Sequence, residues 1–318
     1  MARAPVVRHP TPTELAIADA MIADGGARFR ALEEKWFPLI RDAYSQKVEN
    51  GRRSHYGFSG AGEPCDRALW LRWRWMNEPE FARQPTLVQE KLDAARMKRL
   101  VNRGHLEEAR FMALLEMIGV HIDEPADGQE RVSAFVGHGG SALDAVMYNS
   151  PCIPNEWHLG EFKTMNDKHF KELLVKGVRE KKPEHFVQMQ LCMLTRGIHK
   201  TLYMVVNKND DTVYTEVVLF NETFAQNALT RMHRIIVGDS APPKIHADPS
   251  WHQCKFCDCA ALCHFKTYKP ERNCRSCIMA SPIMDGDGGW RCNLPNVGAK
   301  LDDATIRQGC DYHTPFNL

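Results

Sequence analysis

Apolar residues recur every three to four positions in several stretches of the chain, and this spacing predicts helices. Residues 13–48 contain two such stretches around Gly25 and Gly26, with Trp36 and Ile40 on the apolar face of the second. The same spacing predicts a long or broken helix over 86–118. Further helices are predicted over 65–76, 167–176, 184–194 and 222–237.

Shorter apolar segments bounded by turn residues predict strands. They cover 120–122, 132–136, 142–147 and 157–164. A hairpin is predicted between 202–206 and 212–219. Helices, a meander of strands, more helices and a second group of strands in this order predict an α/β core.

After Pro242 and Pro243 the sequence becomes rich in cysteine, and its apolar residues lose their regular spacing. Seven of the 11 cysteines lie between positions 254 and 292, and one more is Cys310. No apolar run approaches the roughly 18 residues of a membrane helix, and the N-terminus lacks the apolar core of a signal peptide. We therefore expect a cytoplasmic protein without a membrane partner, with reduced cysteines that bind metal.

Composition limits the function classes. The 318 residues include 41 Lys and Arg against 40 Asp and Glu, so the net charge is +1. A nearly neutral chain is not a polycation, and nucleic-acid binding would need a local basic channel. Five cations between Lys91 and Arg103 are either such a channel or a solvated helix face.

The sharpest signal in the core is Glu161 and Lys163, which alternate on a predicted strand and therefore share one face. Asp144 lies on the preceding predicted strand, and a hairpin would bring it beside Glu161. Two converging carboxylates favour a divalent cation such as Mg²⁺ with oxygen ligands. Glu108 on the long helix and Gln188 on a later helix complete an ordered set.

This ordered set resembles the PD-(D/E)XK nuclease superfamily, in particular its RecB-like branch, which includes CRISPR-associated RecB-like exonucleases, the AddB nuclease domain and phage exonucleases. The first motif of that family matches Gly104 and Glu108, and His105 is an alternative to Glu108 in this motif. The second, an Asp on a strand, matches Asp144. It follows Leu143, where the family pattern has proline.

The third motif, (D/E)-x-K, matches Glu161 and Lys163. The fourth, Gln-x-x-x-Tyr, matches Gln188, although Cys192 replaces the tyrosine. The resemblance implies a restriction-endonuclease-like core, a mixed central sheet flanked by helices. It also implies that Glu108, Asp144, Glu161 and the Phe162 carbonyl hold Mg²⁺ or Mn²⁺, while Lys163 orients the attacking water.

The implied activity is hydrolysis of DNA phosphodiester bonds, with an exonuclease favoured over an endonuclease. The substrate would be single-stranded DNA or duplex ends. The implied setting is phage or prokaryotic recombination, replication or DNA-end processing, with proteins of those processes as partners. The alternative is a non-catalytic DNA-binding or assembly protein that retains the nuclease fold.

The first cysteine set in the tail is Cys254, Cys257 and Cys263, spaced C-x2-C-x5-C, which leaves a tetrahedral site one ligand short. RecB-like iron–sulfur nucleases have one further cysteine before the core, and Cys65, followed by Arg67, matches it. The resemblance thus implies a structural [4Fe–4S] cluster on four thiolates. A zinc site remains the alternative, with the fourth ligand drawn from a nearby side chain: Cys259, His252 or His264.

The second set is Cys274, Cys277, Cys292 and Cys310, which predicts a structural Zn²⁺ in a small zinc ribbon, with His313 as an alternative to Cys310. A short segment with few large apolar residues needs a bound structural metal ion to fold. The predicted organisation is an N-terminal helical segment (1–50), a nuclease core closed by the first cysteine set (51–268) and a zinc-ribbon-like module (269–318).

Overall fold

The computed structural model describes residues 8–45, 52–77, 88–124, 129–295, 297–298 and 300–318. Its α-helices are α1 (Pro12–Asp24), α2 (Ala27–Ser45), α3 (Asp66–Trp73), α4 (Val88–Met117), α5 (Asp167–Lys181), α6 (Pro183–Arg196), α7 (Glu222–Val237) and α8 (Asp303–Gln308). Its strands are β1 (Tyr56–Gly57), β2 (His121–Ile122), β3 (Arg131–Ala134), β4 (Gly139–Ala142), β5 (Ala145–Ser150), β6 (Ile153–Met165), β7 (Lys200–Asn207), β8 (Val213–Leu219), β9 (Ala280–Pro282), β10 (Trp290–Cys292) and β11 (Lys300–Leu301).

The chain divides into two compact units, each assembled from separate segments. The first comprises Met1–Glu49, Pro85–Val132 and Ala142–Ala225, and the second comprises Asn50–Gln84, Ser133–Ser141 and Gln226–Leu318. The domain boundaries predicted from sequence, 1–50, 51–268 and 269–318, remain a prediction.

The first unit is built on a five-stranded sheet in the order β2-β5-β6-β7-β8. The strands β6 and β7 pair in parallel, and the other neighbours pair antiparallel, so the sheet is mixed. The predicted hairpin is confirmed as β7 and β8. The predicted α/β fold class, with a mixed sheet flanked by helices and a cysteine-rich C-terminal region, is also confirmed.

One face of this sheet packs against α2 and α4 through a buried apolar cluster that includes Trp36, Phe111 and Phe162. The rings of Phe111 and Phe162 stack with centroids 5.2 Å apart. Because side chains alternate along a strand, burial of Phe162 on this face sends Glu161 and Lys163 to the opposite face. The sequence pattern therefore separates the apolar core from the polar residues of β6.

The opposite face carries α5 and α6. Asn166 caps α5, its side chain accepting a hydrogen bond of 3.0 Å from the His169 backbone. Gly177 interrupts α5 with φ 70°, a conformation that favours glycine. Pro183 begins α6, and Gly197 ends it with φ 72°. Within α6, His185 contacts Tyr203 of β7 and Gln188 contacts Glu161 of β6.

One predicted element differs from the structure. The predicted strand 142–147 is divided between β4 and β5, so Asp144 lies in the bend between them rather than on a strand. The chain needs this bend because β4 and β5 belong to different sheets. The long or broken helix predicted over 86–118 is confirmed as one continuous helix, α4, within the described residues.

In the second unit, α3 buries Trp70 and Trp73, and their indole nitrogens donate to the carbonyls of Gly238 and Ile236. The antiparallel strands β9, β10 and β11 form a three-stranded sheet beyond position 279. Across the described segments, no helix has both the length and the apolar character that crossing a membrane requires.

Candidate active site and metal centres

The hairpin of β5 and β6 brings Asp144 beside the strand that carries Glu161 and Lys163. Ala145 pairs with Gly160, so Asp144 lies one residue beyond the paired segment. Its Oδ2 accepts a 2.8 Å hydrogen bond from the backbone N–H of Phe162 and lies 3.6 Å from Lys163 Nζ. The predicted approach of these residues is therefore present in the structure.

Glu161 and Lys163 form an ion pair on the face of β6 opposite to Phe162. Lys163 Nζ also donates a 3.2 Å hydrogen bond to the Phe162 carbonyl. The family resemblance implies that this carbonyl is a metal ligand. Burial alone would lower the pKa of Lys163, but Glu161 and Asp144 outweigh it and raise that pKa. The ammonium is therefore held charged between two carboxylates.

Glu161 is only 4 % exposed. Burial raises the pKa of its carboxyl group to about 7, against the opposing effect of Lys163. Its Oε2 accepts a 3.2 Å hydrogen bond from Gln188 Nε2 on α6. The predicted partner Gln188 thus contacts the acidic pair directly, whereas Cys192, one turn further along α6, is a buried residue of 2 % exposure.

A cavity of about 470 Å³ opens above this group in the first unit. Asp144, Lys163 and Glu108 line it, and so does the alternative first-motif residue His105. Glu108 is 7 % exposed, and its Oε2 accepts a 3.0 Å hydrogen bond from Gln129 Nε2. The long helix α4 therefore delivers Glu108, and also Glu107, to the cavity that Asp144 lines.

The site contains a second polar pair that was not predicted from the sequence. His185 lines the cavity, and its Nδ1 lies 2.7 Å from the hydroxyl of Tyr203 on β7. Tyr203 is fully buried and pairs in register with Glu161. A helical spacing of three residues between His185 and Gln188 was the available signal, since it places both side chains on one face of α6.

Burial lowers the pKa of His185 to about 3, and the nearby ammonium groups of Lys163 and Lys182 act in the same direction. The ring is therefore neutral at physiological pH. Burial also raises the pKa of Tyr203, which keeps its hydroxyl protonated. A neutral imidazole and a neutral phenol thus stand beside the charged group on β6.

The donor set fits a divalent cation. Glu161 Oε1 is buried and makes no hydrogen bond of normal geometry, although Lys163 lies against it. A hard cation with oxygen ligands would use such an oxygen together with those of Asp144 and Glu108. It would also offset the burial of several carboxylates in one place.

The first cysteine set comes together in the second unit. Cys65, Cys254, Cys257 and Cys263 line one small cavity, together with Cys259. Burial raises the pKa of the Cys254 thiol, and the other three predicted ligands reinforce that rise. The distant Cys65 is therefore close to the three tail cysteines, as the iron–sulfur prediction requires.

Local structure fixes Cys65 at the start of α3. Its Sγ accepts a hydrogen bond from the Ala68 backbone at 3.4 Å. Arg67 is buried, and its Nη1 donates to the Pro242 carbonyl at 2.8 Å. The Cys65-x-Arg67 pattern thus ties α3 to the segment that precedes the tail cysteines.

Among the described residues, one group of three candidate ligand atoms lies within 4.8 Å of one another, and it comprises Cys257, Asp258 and Cys259. The Cys259 sulfur lies 3.8 Å from the Ala68 carbonyl, and the Arg72 guanidinium binds Asp258 at 2.7 Å. Asp258 is therefore already paired with a cation. The zinc alternatives His252 and His264 do not belong to this group, and neither do Cys65, Cys254 and Cys263. His264 lines the same cavity as the cysteines, so the zinc alternative stays open.

The second set also lies in one neighbourhood. Burial raises the pKa of Cys274 to about 11, and the nearby thiols reinforce it; they are those of Cys310, Cys277 and Cys292. The alternative ligand His313 has its Nε2 2.9 Å from Ser276 Oγ, so that nitrogen already has a partner. A histidine can bind metal through either ring nitrogen, so this contact does not exclude His313. Cys310 is favoured because it is among the thiols that raise the pKa of Cys274.

No family model and no curated protein matches the chain. Among solved structures, an alkaline exonuclease from Laribacter hongkongensis (LHK-Exo) is similar with a TM-score of 0.37 and 15% identity, over 58% of this chain and 87% of that one. The protein SSO0001 is similar with a TM-score of 0.37 and 13% identity, over 74% and 95% of the two chains. LHK-Exo in complex with dAMP gives 0.34 and 14%, over 57% and 86%. Likenesses this distant support no function by themselves.

Proposed function

We propose that the protein is a metal-dependent DNA nuclease. The observation that carries the proposal is the convergence of Asp144, Glu161 and Lys163 beside one cavity, with Glu108 on its wall. Carboxylates and a lysine in this arrangement suit hydrolysis of a phosphodiester, because the reaction develops negative charge on phosphate oxygens. Exonuclease action in phage or prokaryotic recombination, replication or DNA-end processing is proposed from the motif resemblance.

Glu108, Asp144, Glu161 and the Phe162 carbonyl would hold Mg²⁺ or Mn²⁺. Such a cation would polarise the scissile phosphate and lower the pKa of a water molecule. Lys163 supplies a fixed positive charge beside Asp144 and orients the water by hydrogen bonding. Gln188 keeps the Glu161 carboxylate in one orientation through its 3.2 Å hydrogen bond.

For the cysteine sets, we propose a structural [4Fe–4S] cluster on Cys65, Cys254, Cys257 and Cys263. The support is that Cys65 shares a cavity with the three tail cysteines although about 190 residues separate them. A structural Zn²⁺ on the second set would tie together the 3-10 turn Cys274–Ser276, the strand β10 and the C-terminal segment, which are too short to form a core of their own.

The test is incubation of the anaerobically purified protein with labelled linear DNA and Mn²⁺. We expect degradation, and we expect Asp144→Ala and Lys163→Ala to abolish it. Matched controls are Asp19→Ala and Lys176→Ala, which remove the same charges from exposed helix positions and should retain activity. Resistance of closed circular DNA would identify an exonuclease.

Two results would contradict this proposal. Degradation that persists in both site variants would show that another group performs the reaction. Tight DNA binding without degradation, in the presence of Mn²⁺ or Mg²⁺, would instead identify the non-catalytic DNA-binding protein that is the alternative.

A further inference from the structure

The first half of α4 is largely exposed; among the described residues, Arg103 at its end donates a 3.1 Å hydrogen bond to the Lys208 carbonyl. From Val88 to Arg103, the side chains whose burial is described are exposed, with the exception of the half-buried Leu100. Apolar residues are included, since Leu92 is 59 %, Met97 46 % and Val101 52 % exposed. Solvent-exposed helices of this length are marginally stable alone, and apolar patches on them mark interaction sites.

The apolar residues form a stripe that leads into the active-site cavity. Met97, Leu100 and Val101 lie at helical spacings of three and four, and this row continues through Gly104 to Glu108. Leu100, Val101 and Gly104 line the cavity together with Glu108. The stripe and the proposed catalytic carboxylate are therefore on one continuous helix face.

Cations flank this stripe. At 100° per residue, Arg96, Arg99 and Arg103 lie on one side of it, and Lys91 and Lys98 lie on the other. Arg96 and Arg99 are exposed, and neither forms an ion pair with another described residue. The acidic residues of this segment are Glu90 and Asp93, so cations exceed acids by 5 − 2 = 3.

We infer that this half of α4 binds a single DNA strand and guides it into the cavity, with bases on the apolar stripe and phosphates on the flanking arginines. The inference rests on the proposed function, since it names the form of DNA that reaches the site. Every base has an apolar face, and positively charged tracks with apolar platforms bind single strands without sequence preference. In a duplex those base faces are stacked on each other and cannot cover the stripe.

The experiment measures binding without cleavage, in buffer with chelator and no divalent metal. The probe is a fluorescent oligodeoxythymidylate of about 20 nucleotides, and the readout is fluorescence anisotropy over a range of salt concentrations. We expect the variant Arg96→Glu/Arg99→Glu to bind about tenfold or more weakly than the wild type. Loss of two phosphate contacts should also reduce the slope of log K against log salt by about 1.4.

The matched control is Arg28→Glu/Arg30→Glu, which makes the same change of charge at exposed positions of α2 and should bind within about twofold of the wild type. The variant Met97→Gln/Val101→Gln should lower the affinity and leave the salt slope unchanged. The milder Arg96→Gln/Arg99→Gln should reproduce the weaker binding if the glutamates disturb the helix.

Three results would overturn the inference. The first is equal binding by Arg96→Glu/Arg99→Glu and its control. The second is tighter binding of a blunt duplex of the same length with the same sensitivity to the arginines. The third is a dimer in sedimentation that Met97→Gln/Val101→Gln dissociates while oligonucleotide binding is retained, since a second copy would then cover the stripe.

Failure of the proposed nuclease activity gives a different pattern. Asp144→Ala should not weaken binding of the oligonucleotide, because without metal the lost carboxylate can only repel phosphates. A protein that binds through Arg96 and Arg99 but never degrades DNA would refute the proposed function and leave the binding surface in place.

Discussion

The side-chain amide of Gln188 donates a 3.2 Å hydrogen bond to Glu161 Oε2 inside the protein. Gln188 is 6 % exposed and Glu161 is 4 % exposed, so water does not replace this contact. Lys163 occupies the other side of the same carboxylate. The orientation of Glu161 is therefore set by one residue from α6 and one from its own strand.

Replacing Gln188 by Leu should lower nuclease activity about 10- to 100-fold, the range typical of partners that orient a metal ligand. Leu removes the donor while filling a similar volume, so the orientation of Glu161 is lost and packing is largely kept. The measurement is the rate of DNA degradation as a function of Mn²⁺ concentration. A higher Mn²⁺ requirement separates an effect on the metal site from a general loss of stability.

The exposed glutamine Gln226 on α7 provides the control, and Gln226→Leu should leave the Mn²⁺ dependence unchanged. Wild-type activity and wild-type Mn²⁺ dependence in Gln188→Leu would show that Glu161 needs no orienting hydrogen bond.

The cysteine assignments differ in which fourth thiol is required. With a [4Fe–4S] cluster, Cys65→Ser should lose iron, acid-labile sulfide and visible absorbance, whereas Cys259→Ser should keep all three. Cys65, at the start of α3, lines the same cavity as the tail cysteines, which this outcome requires; Cys259 lines that cavity too, so the two variants must be compared. The reverse result, colourless protein whose zinc depends on Cys259 and not on Cys65, would establish the zinc alternative.

Local periodicity was sufficient to predict part of the site. Alternation along one strand places Glu161 and Lys163 together, and their ion pair confirms it. The approach of Asp144 required only that β5 and β6 form a hairpin. The bend at Asp144 was not predicted, because it depends on β4 joining a different sheet from β5, and sheet membership is a long-range property.

The pairing of His185 with Tyr203 is of the same long-range kind. The two residues lie on α6 and β7, and their contact depends on how α6 crosses the sheet, which periodicity does not encode. The position of Cys65 was predicted on a different basis. Nothing local links it to the tail, and only the family resemblance predicted its proximity to Cys254.

For the second cysteine set, Cys310→Ser should lose one equivalent of zinc per chain, and His313→Gln should retain it. The reason is that Cys310 lies close enough to Cys274 to raise its pKa, as Cys277 and Cys292 do. Metal analysis provides the measurement, and limited proteolysis should show faster cleavage beyond position 272 in Cys310→Ser, because the segment depends on the metal. Zinc loss in His313→Gln alone would reverse the assignment.

His185 should make the folded protein acid-sensitive. Its pKa is lowered from 6.5 to about 3 by burial and by the neighbouring cations Lys163 and Lys182, so below pH 6.5 the unfolded chain binds a proton that the folded chain does not. The stability is therefore complete above the unfolded pKa and is lost as the pH falls towards the folded pKa. Between about pH 7.5 and about pH 5 the loss due to this residue should reach at most about 2 kcal/mol.

Urea unfolding at both pH values should show that His185→Gln, which keeps an acceptor for Tyr203, loses less stability on acidification than the wild type. The exposed His199 gives the comparison, and if His199→Gln diminished the acid sensitivity as much as His185→Gln does, burial of His185 would not be its cause.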